Sequence, residues 1–159
     1  MDQAKFEFIT REFTEKLNNL PGDAKGKWGK MNGQQMVEHV AGFFMVSSGK
    51  YKFLLVTPIE HLPKYREFIL SDKTFRENTK APIHVVPEEP RSVQKSSMQD
   101  ALSALQNEIN DFVGYFKNNP GARTTHPVFG DLDYEEWVLL HHKHVTHHLR
   151  QFGLMPDVS

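Results

Sequence analysis

The chain has 159 residues, of which 38% are hydrophobic and 25% charged, with a formal net charge of −1. That balance suits one globular domain large enough to bury its own core. It lacks the basic stripe of a nucleic-acid binder and any apolar run of membrane-spanning length. With no cysteine, it excludes disulfides, zinc–thiolate sites and a cysteine nucleophile.

Four segments carry helical periodicity. In the first, Ala4 to Leu20, the residues Phe6, Ile9, Phe13, Leu17 and Leu20 recur three or four apart, and Pro21-Gly22 ends the run. The second, Gly33 to Ser48, opens on Asn32 and Gln35 in a capping-box pattern and carries a stripe of Met36, Val40, Phe43 and Phe44. The third, Ser97 to Lys117, has the most regular apolar face, from Met98 through Leu105 and Phe112 to Phe116. The fourth, Tyr134 to Phe152, opens on Asp133 and Glu136, a second capping-box pair, with Leu132 and Trp137 at staple positions. Gly153 and Pro156 follow it. Between the second and third helices runs a proline-rich connection, Lys50 to Lys95, in which Ile59 to Leu70 can form a short helix. Two amphipathic pairs joined by a long crossover predict one domain over residues 1–159, an all-α four-helix bundle.

Nine residues are histidine, and five of them lie between His141 and His148. Trp137, His141, His144, His148 and Gln151 share one face of the fourth helix. His148 sits roughly 40° round from His144, and His141 roughly 20° from His148. Imidazoles thus occupy a stripe where leucine is expected, and burying each without a partner costs about 1–3 kcal/mol. A lone buried histidine is more often a satisfied core residue than a ligand, but two imidazoles four residues apart can chelate one metal ion. His144 and His148 have that spacing. Two residues compete to be the third ligand: His39, in line with Met36 and Phe43 on the second helix, and His141, on the same face as the pair. His142 and His147 read as flanking or surface residues, and His61 and His84 in the crossover receive no role.

Trp28-Gly29-Lys30-Met31-Asn32-Gly33-Gln34-Gln35-Met36-Val37-Glu38-His39 resembles the start of the second helix in DinB/YfiT-like proteins. His144-Val145-Thr146-His147-His148-Leu149-Arg150-Gln151 is similar to that superfamily's last-helix signature. His126-Pro127-Val128-Phe129-Gly130, with Glu136-Trp137 and the ending His147 to Gly153, resembles one branch of small proteins without an established function. The resemblance implies a bundle of up-down-down-up order and one divalent ion, nickel or zinc, on three histidines. Matched by position, those are His39, His144 and His148, which decides the third ligand in favour of His39. Relatives of this kind include thiol-dependent transferases and isomerases.

An open three-histidine site can lower the pKa of bound water towards about 7 or hold a small thiol as thiolate. The expected function is therefore a metal-dependent enzyme, first a transferase using a low-molecular-weight thiol, second a hydrolase. A non-catalytic metal-binding or interaction module is the alternative of another class. Glu38 points about 100° away from His39 and reads as a solvated residue. Gln35 is assigned to the capping box, with a hydrogen bond to a metal-bound ligand as a second role. His126, held extended by Pro127, is the candidate catalytic residue, as fourth ligand, proton donor or substrate contact; packing beside Phe129 and Trp137 is its bland role. The expected partner is a small-molecule substrate, with no nucleic acid and no membrane. Bundles of this type can also pair as homodimers, although the sequence marks no patch for it. Met1 to Lys5 lack a basic n-region leading into an apolar run, so a cytoplasmic location is expected.

Overall fold

The first apolar stripe folds as one continuous rod, α1, made of the helical stretches Gln3–Glu7 and Phe13–Leu17 with a π-helical turn, Phe8–Glu12, between them. There the Phe13 N–H reaches back five residues to the Phe8 carbonyl. Ile9, Phe13 and Leu17 are fully buried along it, as their spacing predicts. The structure, a computed structural model, describes residues 1–82 and 85–158.

Helix α2 spans Gly33–Ser47, α3 Leu62–Leu70, α4 Met98–Asn118 and α5 Tyr134–Gln151. Both predicted capping boxes form. The Asn32 side chain accepts from Gln35 N at 2.8 Å while Gln35 Oε1 accepts from Asn32 N at 2.9 Å. Asp133 accepts from Glu136 N at 2.9 Å, and Glu136 Oε2 from Asp133 N at 3.0 Å. Asp133→Ala leaves the first donors of α5 without this partner and should cost about 1 kcal/mol, whereas Asp133→Asn should stay within a few tenths. Thermal unfolding of the two variants checks this.

Most residues are helical, but the fold departs from the all-α expectation. Thr124–His126 (β1) and Gly130–Leu132 (β2) pair antiparallel, with His126 opposite Gly130. Pro127, Val128 and Phe129 form the three-residue turn, and Gly130 closes it at φ 83°, a left-handed backbone that favours glycine. A side chain at Gly130 would also press against Leu62, whose Cδ2 lies 3.3 Å from where a Cβ would sit. The hairpin leads straight into α5.

The core is a continuous cluster in which α1, α2, α4 and α5 meet, with Met36, Phe44, Leu105, Phe112, Trp137 and Leu149 at its centre. The most extensive helix pairing is between α2 and α4. Helix α5 is covered on nearly all sides, by α1, α2 and α3. That enclosure is why so many of its polar residues are buried. Lys143 is docked by donating to the carbonyls of Ser71 and Lys73 at 2.6 and 2.5 Å, beyond the end of α3. Buried Glu136 pairs with Arg66 of α3 at 2.5 Å and with Arg123 at 3.3 Å. The crossover is thus fastened to α5 by two charged side chains. Among the described residues no helix is long and apolar enough to cross a membrane.

Candidate metal centre

Helix α5 contributes two imidazoles one turn apart, and α2 brings the third across from them. His39 Nε2 lies 3.1 Å from His144 Nε2, and His148 Nε2 lies 3.0 Å from the same atom. The three ligand atoms lie within 4.8 Å of one another. His144 and His148 are buried and His39 is half-buried.

The hydrogen bonds around the trio decide where the protons sit. His148 Nδ1 lies 2.7 Å from Gln151 Oε1. The Gln151 amide nitrogen donates to the Trp28 carbonyl at 3.0 Å, which fixes its oxygen as the acceptor facing His148. His148 therefore carries its proton on Nδ1 and turns a lone pair at Nε2 towards its neighbours. With His148 Nε2 a lone pair, His144 Nε2 can donate to it or accept from His39 but not both, so at least one of the two contacts of about 3 Å is not a hydrogen bond. A cation resolves that conflict. Two nitrogens bound at about 2.0–2.1 Å to one ion stand about 2.9–3.4 Å apart, which brackets both observed separations. The donor set, three neutral imidazoles, suits a borderline divalent ion such as zinc or nickel. Burial, with the neighbouring His147 and Arg91 charges adding to it, pushes His39 down to about 4. Burial and the adjacent imidazoles hold His144 and His148 well below their ordinary value. All three are neutral at pH 7 and ready to bind.

Gln151 is a positioning residue here, because it sets the tautomer of His148. Gln151→Ala is expected to weaken zinc affinity about 10–100-fold. A competition titration against a chromophoric chelator measures this, and unchanged affinity would remove Gln151 from that role.

His141 stands apart from the trio. Its ring stacks on Phe44 at 3.9 Å between centroids and 9° between planes, and its Nε2 lies 2.8 Å from Ser47 Oγ. It is a core residue held by an aromatic sandwich with Phe44 and Trp137. His147 is buried against Trp28 and Phe75, so it is no surface residue, and half-buried His142 packs on Phe8. His61 is exposed in the turn before α3, and His84 lies outside the described residues.

His126 sits in the hairpin and is 4% exposed. Its Nδ1 accepts from the backbone of Val128 at 2.9 Å and of Phe129 at 3.2 Å. Nδ1 is therefore bare and the ring proton is on Nε2. Burial drives its pKa down to about 3, so the ring is a neutral donor. Phe43 connects it to the trio, with its ring 5.6 Å from His126, 4.2 Å from His144 and 5.2 Å from His39. His39, Phe43 and His126 together line one side of a cavity of about 380 Å³, whose other side is the returning crossover.

Glu38 is not a solvated residue. Its Oε1 accepts from the backbone of Gln94 at 2.7 Å and Lys95 at 3.2 Å, and its Oε2 from Gln34. Gln35 completes its capping box and also donates to the Arg91 carbonyl at 3.0 Å. One turn of α2 thus clasps the crossover against the cavity.

A family described as a protein of unknown function (DUF1569) matches residues 14–155. The chain belongs to this DUF1569 family. The match includes all three histidines of the trio and His126. Neither a curated protein nor a solved structure matches the chain.

Proposed function

We propose that the chain is an enzyme dependent on one divalent metal ion, nickel or zinc, held by His39, His144 and His148. We take its reaction to be transfer of a low-molecular-weight thiol. The observation that carries this reading is the convergence of three imidazole Nε2 atoms beside a cavity that His39 also lines. The DUF1569 family is compatible with the DinB/YfiT-like superfamily that the motifs resemble. In that setting we interpret the four long helices as a single-domain bundle of up-down-down-up order. A divalent ion at the trio would supply a Lewis acid that favours the thiolate form of a small thiol at neutral pH.

The protein's own groups do the rest. Phe43 packs its ring on His39 and His144 beside the cavity, and the crossover clasped by Glu38 and Gln35 forms the facing wall. His126 presents a fixed N–H donor rather than a ligand lone pair, so we assign it to substrate contact and not to the metal. The cavity-lining carboxylates favour thiol transfer over hydrolysis, because none is free to act as a base: Glu38 is held by backbone donors, Glu89 by Lys30 and Glu108 by Lys50 at 2.8 Å.

Elemental analysis of protein isolated from metal-supplemented medium tests the first half of the proposal, with about one equivalent of nickel or zinc expected. Metal-free protein without affinity for either ion would sink it. Where metal is bound, activity that needs no added thiol supports the hydrolase, and metal without turnover supports the non-catalytic module.

A further inference from the structure

The charged side chains that line the cavity are not paired with one another. Its lining includes Glu38, Glu89 and Glu108, each already paired as described above, and the cations Arg91 and Lys95. Neither Arg91 nor Lys95 makes a side-chain ion pair among the described residues. Arg91 and Lys95 are thus left at the rim without a carboxylate paired to them. Arg91 is exposed and lines the same cavity as His39.

The interior offers the complementary features. Phe43, Phe53, Val86 and Pro90 give it apolar walls. His126 offers one polar group there, because Nδ1 is committed to the hairpin turn and Nε2–H has no hydrogen-bond partner among the described residues. A ligand in the cavity, or water, can accept from that N–H. A volume of about 380 Å³ falls in the range of small-molecule sites.

We propose that this cavity selects a small carboxylate with an apolar body, its carboxylate paired with Arg91 and a second oxygen accepting from His126 Nε2–H. Guanidinium matches carboxylate through parallel N–H donors, and a neutral N–H fixed in a dry wall discriminates for an oxygen acceptor. The inference rests on the enzyme reading above for calling the ligand a substrate, while the selectivity itself belongs to Arg91 and His126 and does not need the ion.

Calorimetric titration of the full chain, after chelator treatment and again with zinc added, tests it with phenylpyruvate, its neutral amide and hydrocinnamate, which lacks the keto oxygen. The chelator-treated protein should bind phenylpyruvate about tenfold more tightly than the amide. Arg91→Gln should bring the two within about twofold. His126→Asn keeps an acceptor for the turn and removes the cavity donor, so it should erase the preference over hydrocinnamate. His126→Gln, which places an amide N–H near the Nε2 position, should restore part of it. Equal binding of acid and amide, an acid preference that survives Arg91→Gln, or no binding of any probe in either state overturns the proposal. A preference seen only with zinc and indifferent to Arg91 puts the carboxylate on the metal, which defeats this inference but leaves the metal reading standing. An Arg91-dependent preference in a chain that takes up no zinc does the reverse.

Discussion

Zinc at about one hundred times its dissociation constant is expected to stabilise the wild-type fold by about 2.7 kcal/mol, and His144→Ala is expected to erase that gain. His144 is the middle member of the trio, within 3.1 Å of both partners, so its removal leaves two imidazoles with no common neighbour. Affinity should fall by a factor on the order of a thousand or more, beyond the loss for a supporting residue such as Gln151. The metal-free variant should suffer far less. Among the described residues His144 Nδ1 is buried without a partner, and deleting the ring also removes the unbonded nitrogen–nitrogen contact it makes within the trio. Those gains offset part of the cavity cost, which leaves a net loss of about 1–2 kcal/mol. Melting curves with and without zinc separate the two effects. His141→Ala is the control: its ring binds Ser47 and stacks on Phe44, so the zinc-induced shift should survive although the baseline falls. A zinc shift retained in His144→Ala, or lost in His141→Ala, would mean that the ligand set has been drawn wrongly.

That control bears on what the sequence could decide. Helical angle alone put His141 and His148 on one face, and it could not choose between His141 and His39. The choice depends on how α2 is rotated towards α5, a tertiary quantity. Phe44 and Trp137 close around His141, whereas His39 is turned towards His144. Features whose partners lie within four residues were legible. Both capping boxes form where Asn32, Gln35, Asp133 and Glu136 predict them, and the short helix in the crossover falls within the proposed Ile59 to Leu70. The hairpin is not legible in the sequence because strands of three residues carry almost no period. The adjacent β-branched Thr124 and Thr125, with Gly130 after a three-residue interval, were the available signal. Glu38 escapes a local reading for a different reason. Its partners are backbone N–H groups 56 and 57 residues away, in a segment with no pattern of its own.

Local and distant features meet at His126. The two residues after Pro127 supply the N–H groups that hold its Nδ1, an i to i+2 and i to i+3 arrangement written into the sequence. What it faces is tertiary: Phe43 of α2 and the returning crossover. The same division runs through the whole site. The sequence sets the chemistry of each group, while packing sets which groups share a cavity.

Acid should unfold this protein early, and the histidines of the core are the reason. His126 and His141 are held near 3 by burial against an ordinary value of 6.5, with the His126 charge adding to the effect at His141. The folded state thus refuses protons that the unfolded chain accepts. For a histidine depressed in this way, stability is complete above 6.5 and is lost progressively as the pH falls from there towards 3. Each contributes a loss of roughly 1.4 kcal/mol per pH unit in that window, so at about pH 5 the two together remove roughly 4 kcal/mol. That is a large share of the roughly 5–15 kcal/mol that holds a domain folded. The three imidazoles of the trio are lowered in the same direction. The zinc-loaded chain should therefore run parallel to the chelator-treated one, at higher stability, until protons displace the metal and that advantage is lost. Melting temperature followed from about pH 8 to about pH 4.5 should be flat at first and drop steeply below the ordinary histidine value. His141→Leu, which leaves Ser47 still donating to the Phe44 carbonyl, should reduce the acid slope by about one proton. A melting temperature that does not change between about pH 8 and about pH 5 would contradict the neutral, buried state assigned to these rings.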